Sequence, residues 1–292
     1  MSEKKREKAV RVGGSKRTAA EITKSALAFV LFIIYMIPFL LVVINSFKRK
    51  ISIVKTPLQL VDEEGPQFVN YVNAYIDMDF LQAFANSLIV TGCSVALLIV
   101  FSSMCAYILV RKNYLACKIS FLLLISYMVV PFQVIMIPLL SIYGSTFNML
   151  NSRLTLIVMN FGFGTCFAMF LCHGFIKTGV PLALEEAAII DGCGPIQTFF
   201  KIVLPLLKPI LSTVAILQVL GLWNDYLLPS LVLVRPKLHT LPIAIRTFVG
   251  TFSSDYGNMM AALVMTVVPV IIVYIALQKY IIGGVVAGAV KS

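Results

Sequence analysis

The chain has 292 residues, of which 59% are hydrophobic and only 13% charged, about half the charged share of an ordinary soluble domain. A soluble fold of this size cannot bury so much apolar surface in one core, so the composition excludes a soluble globular protein and predicts one that is integral to a membrane. The net charge of +11 is concentrated near the N-terminus.

Residues 1–24 form a basic leader that holds eight of the 24 Lys and Arg residues. Such a segment either binds nucleic acid or anionic lipid, or is a disordered leader that sets membrane topology. We favour the second interpretation and expect contact with membrane lipid but no nucleic-acid partner. The first apolar run is not a cleavable signal peptide, because it follows a long polar leader and ends at Phe47 without a small-residue cleavage site.

Six apolar stretches are long enough to cross a bilayer as helices, which requires about 20 residues each. They lie within a membrane domain predicted over 25–292, at residues 25–46, 86–110, 119–141, 153–175, 209–233 and 259–281. Apart from Arg153 and Lys279, which lie at the ends of their stretches, five of the six carry no Asp, Glu, Lys or Arg, and the fifth contains Asp225. The sequence therefore predicts an all-α, polytopic membrane protein with six transmembrane helices.

Orientation follows from the Lys and Arg residues of the connecting segments, which concentrate on the cytoplasmic side of a membrane. With both termini inside, the cytoplasmic segments hold sixteen of these residues and the external segments eight. The cluster Lys48-Arg49-Lys50 opposes this orientation, but the leader is denser and enters first. We therefore expect a multi-pass protein of the bacterial cytoplasmic membrane with cytoplasmic N- and C-termini.

Prolines within several spans predict kinks, which suit a moving transporter but occur in any membrane bundle. The six cysteines form no CxxC pair and no metal-ligand spacing, so we interpret them as small core residues and expect no metal site. No Gly-x-x-x-x-Gly-Lys-[Ser/Thr] phosphate loop is present. The chain is therefore predicted not to be an enzyme and to hold no cofactor.

The connection between spans four and five, residues 177–208, is too long for a simple turn. Pro181 is placed to open a helix, with Glu185 and Glu186 close to its start, where the helix dipole favours carboxylates. Gly192 is expected to stop this helix, and Pro195 to start a second one that runs to Leu204. The pattern predicts a helix, a glycine turn and a second helix at the inner membrane face.

This segment resembles the EAA signature of bacterial ATP-binding-cassette importer permeases. The match lies in Glu186-Ala187-Ala188, then Gly192, then Ile202-x-Leu204-Pro205. In that family the loop forms coupling helices that dock on a cytoplasmic ATPase. The resemblance implies a type I importer permease fold and an ATPase-docking set of Glu185, Glu186, Ala187, Ala188, Asp191, Gly192, Ile202, Leu204 and Pro205, with Glu186 paired to a basic residue of the ATPase.

Further stretches resemble the carbohydrate branch of these permeases, which includes the second, smaller membrane subunit of the maltose transporter. They lie at residues 85–88, 106–111, 131–134, 137–139, 223–226, 238–242, 278–284 and 288–291. The resemblance covers nearly all of residues 25–291, and Cys193-Gly194 departs from it, since the family often has Ala and a small polar residue there. It implies a sugar or oligosaccharide importer that switches between outward and inward states.

The same resemblance implies the partners. They are two copies of an ATPase subunit that binds ATP and Mg²⁺, a second, non-identical permease subunit, and an extracytoplasmic sugar-binding protein that touches the loop 235–258. A permease of the same branch for glycerol phosphate is the nearest alternative. An ion-coupled secondary transporter is less favoured, because Asp225 is its only candidate for a buried coupling group and no inverted repeat is evident.

Two further sets of residues have alternative interpretations. Asn224, Asp225 and Tyr226 offer an amide, a carboxylate and an aromatic ring suited to sugar hydroxyls in a substrate pathway, but Asp225 is favoured as a helix cap at the outer interface. The terminal Gly288, Ala289, Val290 and Lys291 either reach the ATPase, as the resemblance implies, or form a frayed end.

Overall fold

The fold is that of a computed structural model, which describes the backbone of residues 3–62, 64–250 and 254–289 and the side chains of residues 21–62, 64–250 and 254–275. All the regular secondary structure in these ranges is helical. The chain divides into two compact units. The first is Met1–Val72 with Asp255–Val264, and the second is Asn73–Ser254 with Met265–Ser292.

The helices follow one another along the chain with short connections. The first seven are α1 (Glu3–Asn45), α2 (Lys50–Lys55), α3 (Val69–Asp77), α4 (Phe80–Arg111), α5 (Leu115–Tyr127), α6 (Phe132–Leu140) and α7 (Arg153–Gly179). The remaining seven are α8 (Leu182–Ile190), α9 (Pro195–Thr198), α10 (Leu204–Leu206), α11 (Lys208–Asn224), α12 (Leu227–Val232), α13 (Leu241–Ala244) and α14 (Tyr256–Ala289). Wider π-helical turns extend α6 over Ser141–Thr146 and join α9 to α10 over Phe199–Val203.

Four single helices are long and apolar enough to cross a membrane, at Glu21–Asn45, Phe80–Arg111, Arg153–Gly179 and Tyr256–Ile275. Two bent pairs bring the number to six: Leu115–Tyr127 with Phe132–Thr146, and Pro195–Leu206 with Lys208–Asn224. The structure therefore has four to six candidate spans by length and composition, and six only if each bent pair is counted as one. The second pair includes residues 195–206, which the sequence assigned to the connection before the fifth span. The apolar side chains of the described part of α1, Glu21–Asn45, are almost all exposed, as expected of a helix that faces lipid.

The third span has the kink that its prolines predict, whereas the fifth span ends earlier than predicted. The third is bent by 95° at residues 128–131, where Pro131 adopts extended backbone and starts α6. The fifth ends at Asn224, not at residue 233, because Asp225 leaves the helix with ψ of 124°. Pro38 and Pro269 lie inside continuous helices, so proline alone does not decide where a span breaks.

In the first unit, the basic cluster after α1 has structural roles. Lys48 is 1% exposed, and its Nζ donates to the carbonyls of Thr56 and Pro57 just beyond the C-terminus of α2. Arg49 donates from Nη2 to Asp62 Oδ1 at 3.0 Å and from its backbone N–H to Asp62 Oδ2 at 2.8 Å, and it also pairs with Glu64. Two of the three cations that opposed the predicted orientation, Lys48 and Arg49, thus have partners within the protein.

Acid should loosen this loop. The Arg49 side chain, and then its backbone N–H, hold the pKa of Asp62 well below its usual range. Since the pKa is lower in the folded state, the stabilisation is complete above about pH 4 and declines as the pH falls toward the folded pKa. The protection factors of residues 49–62 against hydrogen exchange, which correct for the pH dependence of the intrinsic exchange rate, should therefore be high at pH 7 and lower at pH 3, and low at both pH values in Asp62→Asn.

Glu64→Gln is the matched control for that experiment, because the Glu64 side chain is 64% exposed and an exposed pair adds little stability. Its exchange should follow the wild-type pattern. Equal protection of the wild-type loop at pH 3 and pH 7 would show that the Asp62 carboxylate does not hold it.

In the second unit, α4 and α7 pack along their length, and two apolar clusters occupy the two ends of this pair. One cluster joins α4 and α7 to α11 and the segment before it, through Ala106, Ala168, Met169, Cys172, Ile176, Val180, Phe199, Val203, Leu207, Leu211 and Val214. The other includes Val90, Leu156, Leu228 and Val232. Of the cysteines predicted to be core residues, only Cys166 and Cys172 are buried, and Cys93 is exposed.

Candidate functional site

The segment after α7 is a helix, a tight turn and a second helix, as the sequence predicts. Helix α8 ends in a Schellman turn, in which the N–H of Cys193 donates to Ala188 O at 2.9 Å and that of Gly192 to Ile189 O at 3.0 Å. Gly192 has φ of +83°, a left-handed conformation that favours glycine, and Pro195 begins α9. We call residues 181–206 the helical loop.

One face of the helical loop presents apolar side chains to the outside. Ile190 is 86% exposed, Ile196 74% and Ile189 65%. Glu186, Ala187 and Asp191 of the predicted docking set are also exposed on this segment. Residues 194–197, 200 and 201 line an open, mainly apolar groove beside them. Exposed isoleucines next to a carboxylate are typical of a surface that another protein covers.

Glu185 belongs to the predicted docking set, but its carboxylate faces the chain's own spans. It is 4% exposed, it accepts a hydrogen bond from Tyr107 Oη at 2.8 Å, and its Oε1 lies 2.6 Å from Arg111 Nη2. Arg111 also donates to the carbonyl of Val180 at 2.8 Å. The structure therefore assigns Glu185 to the link between the helical loop and α4, which single-sequence reasoning missed because Arg111 is distant in the chain.

The helical loop is attached to three spans. Phe199 and Val203 are buried in the apolar cluster with residues of α4, α7 and α11, and the rings of Phe199 and Tyr107 lie 5.3 Å apart. Ala188 is buried at 3% exposure, Ile202 and Leu204 are half-buried, and Pro205 is exposed. These contacts pack the helical loop against the three spans in a close-packed interior.

A second candidate site is a cavity of about 470 Å³ within the second unit. It lies where the third and fifth spans are broken, between the start of α6, the middle of α7 and the end of α11. The side chains that line it include Tyr127, Gln133, Asn160, Phe163, Gln218 and Asp225. Its volume lies within the range of about 300–1,000 Å³ that is common for ligand pockets.

The three predicted pathway residues have different positions. Asp225 lines the cavity and also caps α12, since its Oδ1 accepts from the N–H of Leu227 at 3.0 Å. Asn224 is exposed and donates to Leu220 O of its own helix. The Tyr226 ring lies under the guanidinium of Arg246, 5.7 Å away. Both interpretations of Asp225, as a pathway residue and as a cap, thus fit its geometry.

Two of the stretches noted in the sequence meet at the opposite end of α4 from the helical loop. Asn86, fully buried, donates to the carbonyls of Lys237 and His239 at 3.0 and 2.9 Å. Ser87 Oγ accepts from the N–H of Leu241 at 2.8 Å. These bonds hold the segment before α13 against the start of α4.

The C-terminal residues that were predicted to reach the ATPase lie at the end of α14 or beyond it. Gly288 and Ala289 are in the last turn of this helix, and their surroundings are outside the described side chains. Val290 and Lys291 lie outside the described residues. The interpretation of this tail as an ATPase contact therefore stays a prediction.

The described residues offer no site for a metal ion. Among them there is no group of three or more His, Cys, Asp or Glu side chains that could hold one.

Comparison with known proteins identifies the family of the chain. Residues 98–286 match the family described as binding-protein-dependent transport system inner membrane component. The probable starch degradation products transport system permease protein AmyC of Thermoanaerobacterium thermosulfurigenes is 37% identical over 91% of this chain and 95% of its own. The melibiose/raffinose/stachyose import permease protein MelC of Bacillus subtilis (strain 168) is 35% identical over 94% of this chain and 99% of its own.

A solved structure has the same fold. It belongs to a bacterial ABC transporter involved in the import of the acidic polysaccharide alginate. The match has a TM-score of 0.72 at 21% identity and covers 89% of this chain and 95% of that chain. The likeness confirms the predicted all-α, polytopic permease fold.

Proposed function

The chain belongs to the family of binding-protein-dependent transport system inner membrane components, and we propose that its helical loop couples an ATPase to sugar import. The protein is a multi-pass permease subunit of an ATP-driven importer and not an enzyme. The main support for the proposal is the exposed apolar face of the helical loop.

The helical loop combines an exposed face with a buried attachment. Ile189, Ile190 and Glu186 are free to contact a partner, while Glu185 and Phe199 hold the same segment to the spans. Two copies of an ATPase subunit, which bind ATP and Mg²⁺, dock on this face and on its counterpart in a second, non-identical permease. Closure of the ATPase pair moves the loop, and the loop moves α4, α7 and α11 as a two-state element.

The substrate is a sugar or oligosaccharide delivered by an extracytoplasmic binding protein. This follows from relatives whose names refer to starch degradation products and to melibiose, raffinose and stachyose. The protein lies in the bacterial cytoplasmic membrane with both termini inside. That orientation is supported by the structural roles of Lys48 and Arg49, which explain the presence of cations in an external segment.

Purification of this chain from its native membrane in mild detergent tests the proposal. We expect an ATPase, a second permease and a binding protein to accompany it, and uptake to stop when ATP is depleted. Recovery of the chain alone, with uptake that survives ATP depletion but fails when the ion gradient collapses, would instead indicate a secondary transporter.

A further inference from the structure

The cavity exists because two spans are broken at the same place. Between α5 and α6 the chain leaves the helix before Pro131, and after α11 it leaves the helix at Asp225. Non-helical backbone at membrane depth is tolerated where it lines a water-filled cavity, because lipid cannot satisfy its polar groups. Val130, next to Pro131, and Asp225 both line this cavity, so the interruptions coincide with a polar space.

Asn160 is the strongest sign that the cavity binds a ligand. Its side chain is 4% exposed and lines the cavity from the middle of α7. Within the part of the chain that the structure describes, its amide makes no hydrogen bond, and its atoms are not among the buried side-chain atoms that lack a partner. They are therefore open to the cavity, where a ligand or water can complete their bonding.

Gln218 adds a second amide from α11. A Cβ at Gly164 would lie 3.2 Å from Gln218 Oε1 and 2.9 Å from Leu98 Cδ1, so the glycine leaves room for both side chains. The Gln218 amide also lacks a hydrogen-bond partner among the residues with described side chains. Gln133 lines the same cavity. Three amides therefore face one space, and each can donate and accept.

An aromatic surface lies beside these amides. The Phe163 ring lies 5.6 Å from that of Phe132, edge to face, and 6.3 Å from that of Tyr127, nearly parallel. All three residues line the cavity. A space with an apolar aromatic wall and a few polar groups that fix orientation is typical of small-molecule sites.

We propose that this cavity is a subsite for an uncharged sugar ring, bound by Asn160, Gln218 and Gln133 against Phe163. The inference rests on the proposed function and adds that this subunit contacts the substrate itself. Sugar hydroxyls both donate and accept, which matches amides. Among the described residues that line the cavity, Asp225 is the only charged one, and none is Lys, Arg or His. A sugar carboxylate would thus meet a negative charge and no cation, so acidic sugars are excluded.

Uptake by the complete importer in liposomes, with its own binding protein, tests the subsite. The probes are maltotriose and raffinose as neutral sugars and trigalacturonate as an acidic one. We expect ATP-dependent uptake of a neutral probe at least about tenfold faster than uptake of trigalacturonate, because a carboxylate that leaves water without a cationic partner is strongly disfavoured. Asn160→Leu and Gln218→Met should each reduce neutral uptake about tenfold, the effect of losing one hydrogen bond, with ATP hydrolysis within about twofold of wild type.

Thr213→Val is the control, because Thr213 lies on α11 but bonds to Pro209 O of its own helix and does not line the cavity. It should transport normally. Asp225→Asn keeps an oxygen to cap α12 while removing the charge, so it should admit trigalacturonate more readily.

Several outcomes would overturn the subsite. They are unchanged uptake in both amide variants, trigalacturonate uptake equal to that of the neutral probes, or uptake of neither neutral probe while ATP hydrolysis continues. If a neutral probe is taken up without ATP, the proposed function is overturned. The subsite is still supported in that case if Asn160→Leu reduces this uptake.

Discussion

Gly192→Val should abolish sugar uptake while the protein still inserts into the membrane. Gly192 has φ of +83°, and nothing lies within 4 Å of an added Cβ, so the cost comes from the backbone and not from a clash. A β-branched residue in this region carries strain of about 1–3 kcal/mol, which disfavours the turn by about 5- to 150-fold. The measurement is ATP-dependent uptake, with membrane yield of the chain determined alongside it.

Two controls separate backbone conformation from size. Gly192→Asn has a side chain of similar bulk but tolerates positive φ, so it should retain most uptake. Gly194→Ala adds a Cβ two residues away, where φ is −74° and the space is equally open, and it should behave as wild type. Normal uptake by Gly192→Val would rule out the coupling role of this turn.

Arg111→Gln should strongly destabilise the subunit. It removes the partner of Glu185, whose side chain is only 6% exposed, and leaves that carboxylate buried with one neutral donor, Tyr107. Breaking a buried ion pair on one side costs about 3–5 kcal/mol. The measurement is the thermal unfolding midpoint of the purified importer in detergent, and uptake should fall with it because α8 loses its link to α4.

The double variant Arg111→Met with Glu185→Met tests whether the two charges act as a pair. With neither charge left buried, its midpoint should lie closer to wild type than that of Arg111→Gln. Tyr107→Phe loses one hydrogen bond and should cost only about 1 kcal/mol. If the loss in the double variant equals the sum of the losses in Arg111→Met alone and Glu185→Met alone, Arg111 and Glu185 are not coupled.

Local sequence was sufficient for the helical loop. Pro195 and Gly192 act through their own backbone preferences, so the turn between α8 and α9 was predictable without knowledge of the tertiary fold. The docking residues were predictable only as a segment. Glu185 and Glu186 are adjacent and chemically alike, but one faces Arg111 and the other the outside, and that distinction depends on where α4 lies.

The cavity illustrates the opposite case. Asn160 is one polar residue in a long apolar helix and carries no motif, so nothing in the sequence set it apart. Its role depends on the 95° bend of the third span and on the end of α11, which bring Gln133, Gln218 and Asp225 to the same space. The sequence drew attention to Asp225, because a charge at membrane depth is costly wherever it occurs.

By itself, the sequence determined that this protein lies in a membrane, which segments are apolar enough to span it and where its glycine turn falls. These properties follow from bilayer thickness, from hydrophobicity and from the backbone preferences of single residues, and none needs a distant partner. Only the tertiary structure decided where the spans bend, which carboxylate is buried and which amides share a cavity. Those properties depend on contacts between residues far apart in the chain, such as Arg111 with Glu185, and the pattern of one segment carries no information about them.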